Sequence, residues 1–313
     1  MVNAAVAGGT GGVGRTIVEA LIRSPHQAFV LSPKVRQRLP PDLTLHCQCQ
    51  TLTHDPRPRN PQIHTIICAF SVSGDSLSRS QANLIEAAKL SKETKRFVPS
   101  SFAIQYPREY VVPADIKDYF TAIETLRQSD LEFTVLYNGI FLDYFISPKT
   151  RLKSYMRPNV FVIDIANRVA AIPGDGNAPL TLTYSFDLAR FVVQSLDLKD
   201  GEWEEESGVV GDETSWNEFV GLAEEILDCK FKVHYDPIEK LENFGITELP
   251  GHRVLYEQFP KQRFRWFMSI FELLTVKGGS SIERRGSLNE KFPEVIPVTV
   301  RDVLGGWKDE VLG

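Results

Sequence analysis

A glycine-rich turn close to the start of the chain constrains the fold more than any other feature. The apolar residues 2–7 lead into residues 8–14 (GGTGGVG), and a helical pattern through Ile17 and Leu21 follows directly. Glycines in such a strand–turn–helix unit let the backbone approach a pyrophosphate, whose charge is met by the exposed N–H groups and positive dipole end of the helix. Because Gly14 is followed by Arg15 and not by the lysine of a nucleoside-triphosphatase loop, the turn predicts a dinucleotide site.

Composition and charge exclude several other classes of protein. The chain has 313 residues, 42% of them apolar and 24% charged, which is ordinary for a soluble globular protein. A net charge of −5 gives no reason to expect nucleic acid or an acidic membrane surface as a partner. The first strand starts at residue 2, and no apolar stretch approaches the roughly 20 residues of a membrane helix, so a cytoplasmic location is expected.

The cysteines do not indicate a disulfide framework or a metal site. There are only four in the chain, and Cys47 and Cys49 stand beside His46. Alternate residues of a strand share one face, so these two are interpreted as buried thiols. No second ligand pair lies at zinc spacing, and no metal is predicted.

The first half alternates β-rich apolar runs with helical periodicity, which is typical of βαβ units. The predicted strands are residues 2–7, 28–31, 43–49, 65–70, 96–99 and 133–137, and the predicted helices are residues 13–21, 80–92 and 114–129. Residues 52–62 contain three prolines and are predicted to be a loop. The pattern indicates an α/β fold, a Rossmann-type doubly wound parallel sheet.

The second half is less regular and is predicted to form a smaller α+β lobe. Short strands are expected at residues 160–165, 170–173 and 230–235. Ser215 and Glu218 form a capping box that predicts a helix after it. The segment 259–276, which is rich in aromatic residues, is interpreted as a core-facing helix in preference to a pocket wall. The expected domains are 1–150 and 151–313, sharing one core, with some later segments returning to the first domain.

The end of the second strand indicates which dinucleotide binds. A protein that selects NAD would place an acidic residue there for the ribose hydroxyls. This chain has Ser32, Lys34 and Arg36 instead. A hydroxyl and cations match a 2′-phosphate, which a carboxylate would repel, so the expected cofactor is NADP(H).

Several motifs, taken in order, resemble a known family. They are KRFVPSSF (residues 95–102), NGIFLDYF (138–145), IPGDGN (172–177), DLARF (187–191) and the segment 287–293. Together with the glycine turn they resemble the NmrA-like and isoflavone-reductase-like proteins, particularly fungal members, which are atypical relatives of the short-chain dehydrogenases. The resemblance implies an NADP-binding Rossmann domain with a C-terminal substrate lobe. Catalytic members reduce phenylpropanoid-like or other unsaturated natural products, and others bind the dinucleotide as regulators.

The resemblance and the rule that ligands bind at the carboxyl ends of parallel strands together give the expected site. The residues expected to bind the cofactor are Gly8, Thr10, Gly11, Gly12, Val13, Ser32, Lys34, Arg36, Ala69, Phe70, Pro99, Ser100, Asn138 and Gly139. The residues expected to line the substrate pocket are Ser101, Phe102, Tyr119, Phe141, Tyr144 and Phe145.

The family's reductases carry an essential lysine at the position that matches Tyr119 here. Lys117 lies two residues earlier, about 200° around a helix, and is expected to face solvent. No Tyr-x-x-x-Lys motif occurs in the chain. The expected catalytic residues are therefore Tyr119, as proton donor or hydrogen-bonding group, and Ser100; the alternative for Tyr119 is a buried core aromatic.

Three functions stay open from the sequence. The first is an NADPH-dependent reductase of an aromatic or polyketide-like secondary metabolite, with hydroxyl groups polarising the acceptor. The second is a non-redox isomerase, dehydratase or cyclase on the same scaffold, favoured by the loss of the lysine. The third is an NADP-sensing regulator with a protein partner.

Overall fold

The computed structural model describes residues 1–31, 62–70, 77–107, 114–157, 159–257 and 259–311. Its strands are β1 (Asn3–Ala7), β2 (Gln27–Leu31), β3 (Thr65–Cys68), β4 (Arg96–Val98), β5 (Glu132–Phe133), β6 (Val135–Tyr137), β7 (Ile140–Phe141), β8 (Ile163–Asp164), β9 (Val169–Pro173), β10 (Leu180–Thr183), β11 (Glu206–Gly208), β12 (Asp212–Thr214) and β13 (Lys232–Asp236). Its α-helices are α1 (Gly12–Ile22), α2 (Ala82–Leu90), α3 (Ala114–Arg127), α4 (Ser185–Ser195), α5 (Trp216–Leu227), α6 (Ile238–Glu242), α7 (His252–Leu255), α8 (Lys261–Val276), α9 (Leu288–Lys291) and α10 (Val300–Val311).

The first half forms a parallel sheet with the order β2-β1-β3-β4-β5. β1 is an interior strand, and its Ala5 pairs with Phe29 on one side and Ile66 on the other. β1 and β3 are almost wholly buried, as expected for strands covered by helices on both faces. The α/β fold with a Rossmann-type parallel sheet is confirmed.

Segments from later in the chain complete this layer. β11 pairs in parallel with β6, and α4 packs against α1. A second sheet has the order β12-β10-β7, and a third has the order β13-β9-β8. Phe145, Trp216 and Phe219 are buried in the core of the later half. The two halves are therefore joined by strand pairing and by helix packing.

Local sequence signals set several of these elements as predicted. The Ser215 side chain caps α5 by accepting a hydrogen bond from the backbone N–H of Glu218. On α3, Tyr119, Ile123 and Leu126 are buried while Lys117 is exposed, so the predicted inward stripe and the predicted solvent position of Lys117 are confirmed. The predicted strand 43–49 and all but the last residue of the predicted loop 52–62 lie outside the described residues.

Other element predictions were wrong in their bounds. Residues 160–165 were expected to be one strand, but Val162 has a φ of 59° and interrupts it, which leaves the short β8. Residues 133–137 were also expected to be one strand. The chain changes partner there, because β5 pairs with β4 and β6 pairs with β11. A strand pattern in the sequence does not show where the pairing partner changes.

Candidate functional site

The glycine turn lies at the carboxyl end of β1, between its neighbours β2 and β3. Open α/β sheets bind ligands where the strand order reverses in this way. Gly8 has a φ of +83°, and a Cβ atom on it would lie 2.3 Å from the Ala69 carbonyl oxygen. A Cβ atom on Gly14 would lie 2.4 Å from the Gly8 carbonyl oxygen. Glycine is therefore required at both positions to close the turn.

The first turn of α1 presents its backbone N–H groups without competition. Gly11 is the N-cap residue and makes no side-chain capping bond, and the first turn contains no acidic side chain. Unpaired N–H groups and the positive dipole end suit a bound anion. The expected cofactor-binding residues Gly12 and Val13 thus form a backbone cradle that fits a diphosphate, whereas the Gly11 N–H already donates to the Gly8 carbonyl oxygen at 3.1 Å.

Ser100 connects the ends of β3 and β4. Its hydroxyl donates to the Phe70 carbonyl oxygen and accepts from the Phe70 N–H, both at 3.0 Å. Its own N–H donates to Oε1 of the fully buried Gln81 at 2.7 Å. Since a hydroxyl has one proton to donate, this arrangement favours a positioning role for Ser100 over the proton-transfer role predicted for it.

The Ser101 hydroxyl is likewise used by the backbone. It donates to the Pro99 carbonyl oxygen at 3.2 Å and accepts from the Leu136 N–H at 3.0 Å. Phe102 packs in the core of the first half with Phe141. Ser101 therefore ties the β4 end to β6, an arrangement that favours a structural role for it.

Asn138 and Gly139 follow β6 directly. Asn138 is fully buried, and its Oδ1 has no hydrogen-bond partner among the residues that the structure describes. Gly139 has a φ of +67°, and a Cβ atom on it would lie 2.2 Å from the Thr181 carbonyl oxygen. A buried amide oxygen without a donor costs free energy unless a ligand or water supplies one, so Asn138 suits a cofactor site.

Tyr119 lies within a group of phenols. Its side chain is 4% exposed, and its hydroxyl donates to the Tyr137 hydroxyl at 3.3 Å. The rings of Tyr106 and Phe120 meet its ring edge-to-face, with centroids 5.5 and 5.2 Å away. Burial, and secondarily Tyr137, raises the pKa of Tyr119, so its hydroxyl keeps its proton. The group can donate a hydrogen bond or a proton, and it is a poor base.

The remaining predicted pocket residues separate into two environments. Tyr144 is half-buried and meets Phe141 edge-to-face with ring centroids 6.2 Å apart. Burial raises the pKa of Tyr144 to about 12. Phe145 is 2% exposed and packs against Phe219, with ring centroids 4.9 Å apart, in the core of the later half. That placement favours a packing role for Phe145 over the pocket role predicted for it.

The structure adds residues that the sequence did not single out. Tyr137 could have been found from its position at the carboxyl end of β6, whereas nothing in the sequence distinguishes Tyr106 or Gln81. The predicted phosphate-binding residues Ser32, Lys34 and Arg36 lie outside the described residues. Within the described ranges, no group of histidine, cysteine and acidic side chains is arranged to hold a metal ion. No helix in those same ranges is both long and apolar enough to cross a bilayer.

Comparisons with known proteins place this geometry in context. No protein-family model matches the chain. The chain is 32% identical over 306 residues to the protein "Oxidoreductase BOA1" of Botryotinia fuckeliana, covering 95% of this chain and 96% of that protein. It is 30% identical to "Oxidoreductase swnN" of Metarhizium robertsii, with 98% of each chain covered. It is 25% identical to "Phenylcoumaran benzylic ether reductase 1" of Arabidopsis thaliana, with 96% of each covered.

Solved structures share the fold across the full length. The structure described as "AtPrR2 with NADP+ and (+)pinoresinol" superposes with a TM-score of 0.69 at 16% identity, covering 97% of this chain and 98% of that one. The ternary complex of leucoanthocyanidin reductase from Vitis vinifera gives a TM-score of 0.70 at 15% identity, covering 98% and 99%. At these identities the likeness establishes the fold.

Proposed function

The chain belongs to the NmrA-like and isoflavone-reductase-like family of oxidoreductases, and from this premise we propose that it is an NADPH-dependent reductase of an aromatic or polyketide-like metabolite. The observation that carries the proposal is the glycine turn at the strand-order reversal, where the close approach of Gly8 to Ala69 leaves no room for a side chain. The named relatives are oxidoreductases, and one structure with the same fold was solved with NADP+ and (+)pinoresinol.

The residues divide the dinucleotide site along the sheet. The N–H groups of Gly12 and Val13 would hold the diphosphate, and Ser32, Lys34 and Arg36, which follow β2 in the sequence, would hold the 2′-phosphate. On the other side of β1 the edge is built by Ala69, Phe70, Pro99, Ser100, Asn138 and Gly139, which would hold the nicotinamide half. When bound there, NADPH supplies the hydride.

The chain's own chemistry lies in the phenols. In the structure the single proton of the Tyr119 hydroxyl is donated to the Tyr137 hydroxyl, and a substrate carbonyl would take the place of Tyr137 as its acceptor. A buried neutral phenol polarises a substrate carbonyl and gives up a proton as negative charge develops on its oxygen. Ser100 holds the β3 and β4 ends together through its two hydrogen bonds with Phe70. Phe141 and Tyr144 supply an aromatic surface for the substrate.

A second candidate is a non-redox enzyme on the same scaffold. Tyr119 favours it, because the family resemblance matches Tyr119 to the lysine carried by the family's reductases. A neutral phenol could supply the acid that isomerisation, dehydration or cyclisation requires, and in these reactions the dinucleotide stays unchanged.

One experiment separates the two. The protein is incubated with NADPH and a panel of aromatic and polyketide-like enones, and the nicotinamide absorbance is followed beside product formation by mass spectrometry. A reductase consumes one NADPH for each molecule of product that it forms. Product without NADPH consumption would support the non-redox enzyme, and NADPH binding without any product would support a regulator.

A further inference from the structure

A short segment of the later half lies across the beginning of α1. Lys153 Nζ contacts Glu19 Oε1 at 2.8 Å, and the Tyr155 hydroxyl donates to the same carboxylate. The Met156 sulfur would lie 3.3 Å from a Cβ atom built on Gly12. Residues 153–156, the strap, therefore border the backbone cradle of the glycine turn.

Glu19 fixes the strap to the helix. Burial would raise the pKa of the Glu19 carboxyl, but hydrogen bonds from Lys153 and Tyr155 and the charge of Lys153 outweigh it and lower the pKa. The carboxylate is therefore ionised at neutral pH and is matched by the lysine. The strap is held at two further points, because the Ser154 hydroxyl donates to Asp143 Oδ1 at 2.6 Å and the Lys153 carbonyl oxygen accepts from the Tyr184 hydroxyl.

Arg15 lies beneath the strap and takes no part in this ion pair. Its guanidinium carbon is 3.9 Å from the centre of the Tyr155 ring. Glu19, one helical turn further along α1, pairs with Lys153 instead. A guanidinium held by its face against an aromatic ring keeps its N–H donors in its own plane, where they suit the two oxygens of a phosphate.

We propose that Arg15, held in place by Tyr155, is a further ligand of the dinucleotide's diphosphate. The proposal rests on the proposed dinucleotide site and adds a cation to what is otherwise a cradle of neutral N–H groups. Arg15 directly follows Gly14 in the first turn of α1, and side chains on a helix lean toward its N-terminus, which here is the cradle. Tyr155 is a positioning residue, because it acts through Arg15.

The arrangement makes the later half part of the cofactor site. The glycine turn and Arg15 belong to the start of the chain, whereas Tyr155 belongs to the strap. Binding of the diphosphate then depends on the strap being docked on Glu19. A dinucleotide held in this way stabilises the contact between the two halves as well as the turn.

The test measures the dissociation constant of NADPH by fluorescence, with no substrate present. Arg15→Ala is expected to raise it about tenfold, because a charge-assisted bidentate contact is lost. Arg15→Lys keeps the charge without the planar fork and is expected to have an intermediate effect. Tyr155→Leu is expected to raise the constant about threefold, and Tyr155→Phe, which keeps the ring, less than Tyr155→Leu.

Arg23→Ala is the matched control, since it removes an exposed arginine from the other end of the same helix. Adenosine 2′-phosphate is the control ligand, because it lacks the diphosphate. The proposal requires that Arg15→Ala weaken NADPH much more than Arg23→Ala does, with no such difference for adenosine 2′-phosphate. Equal effects of the two arginine variants, or equal effects on both ligands, would overturn it.

The thermal unfolding midpoint of each variant is measured beside its affinity, so that lost binding is not confused with lost folding. If Arg15→Ala lowers the midpoint, Arg15→Lys decides the matter. Wild-type protein that binds no NADPH would contradict the proposed function. Wild-type binding with unchanged affinity in the Arg15 variants would contradict this inference alone.

Discussion

The two sides of the cofactor edge differ in whether backbone atoms or side chains make the close contacts. At the glycine turn the close contacts are between backbone atoms, as at Gly8 and Ala69. At the phenol group the contacts are between side chains, as at Tyr119 and Tyr137. A backbone contact restricts the residue to glycine, whereas a side-chain contact lets the residue change while the fold persists. The dinucleotide site is thus fixed by the fold, and the chemistry beside it is free to vary.

The largest expected effect is on the backbone side. Gly8→Ala would force a left-handed residue and a 2.3 Å contact with the Ala69 carbonyl oxygen. We expect the free energy of unfolding to fall by more than about 2 kcal/mol and the dissociation constant of NADPH to rise more than about a hundredfold. Denaturant unfolding and fluorescence titration measure the two quantities.

Gly221→Ala is the control for that change. Gly221 lies inside α5, and a Cβ atom there would have nothing within 4 Å. This variant is expected to be stabilised by up to about 1 kcal/mol, because alanine favours helix. If Gly8→Ala were tolerated as well as Gly221→Ala, the turn would not be the rigid cradle described here.

The next effect is on the side-chain side. Tyr119→Phe keeps the ring packing against Tyr106 and removes the hydroxyl. We expect kcat for an accepted substrate to fall about a hundredfold, the lower range for a lost acid catalyst, while NADPH affinity is nearly unchanged. Tyr137→Phe removes only the partner hydroxyl and is expected to cost about tenfold in kcat.

Steady-state kinetics measures both variants, with Tyr235→Phe as the control. Tyr235 is exposed on β13, and its hydroxyl donates to Asn217 Oδ1 on α5 at 3.0 Å. An unchanged rate in Tyr119→Phe would return Tyr119 to the role of a core aromatic.

Ser100→Ala tests the connection between the two sides. It leaves the N–H and carbonyl of Phe70 without their partner, so we expect unfolding free energy to fall by about 1–3 kcal/mol. The effect on kcat should be smaller than that of Tyr119→Phe if Ser100 positions the edge and transfers no proton. Ser24→Ala, which removes a hydroxyl that donates to Leu21 at the end of α1, is the control. A greater loss of kcat than in Tyr119→Phe would restore Ser100 as the catalytic group.

The smallest effect concerns pH. Burial raises the pKa of Tyr119 above its ordinary value, and the acid form exists below that pKa. We therefore expect kcat to be flat between about pH 6 and 9. In Tyr119→Lys the active ammonium loses its proton as pH rises, and burial lowers its pKa, so kcat should fall toward alkaline pH. A wild-type inflection in this range would assign the proton to another group.

The sequence predicted those features that depend on residues close together in the chain. The glycine turn, the inward stripe of Tyr119 and Ile123 and the Ser215 cap depend on residues within a few positions of one another. It gave less where a distant partner matters. Ser100 was predicted to be catalytic, and nothing in the sequence shows that its hydroxyl makes hydrogen bonds with Phe70, 30 residues away. The strand at residues 160–165 was interrupted by one left-handed residue, Val162.

The sequence alone determined the α/β class, the dinucleotide turn and the family. Each is encoded in short spacings of glycine and apolar residues, which act through local backbone geometry. Only the tertiary structure decided that Tyr119 donates to Tyr137, that the Ser100 proton is already used and that Tyr155 holds Arg15. These contacts join residues far apart in the chain, and their hydrogen bonds and ring stacking exist only once the elements have packed.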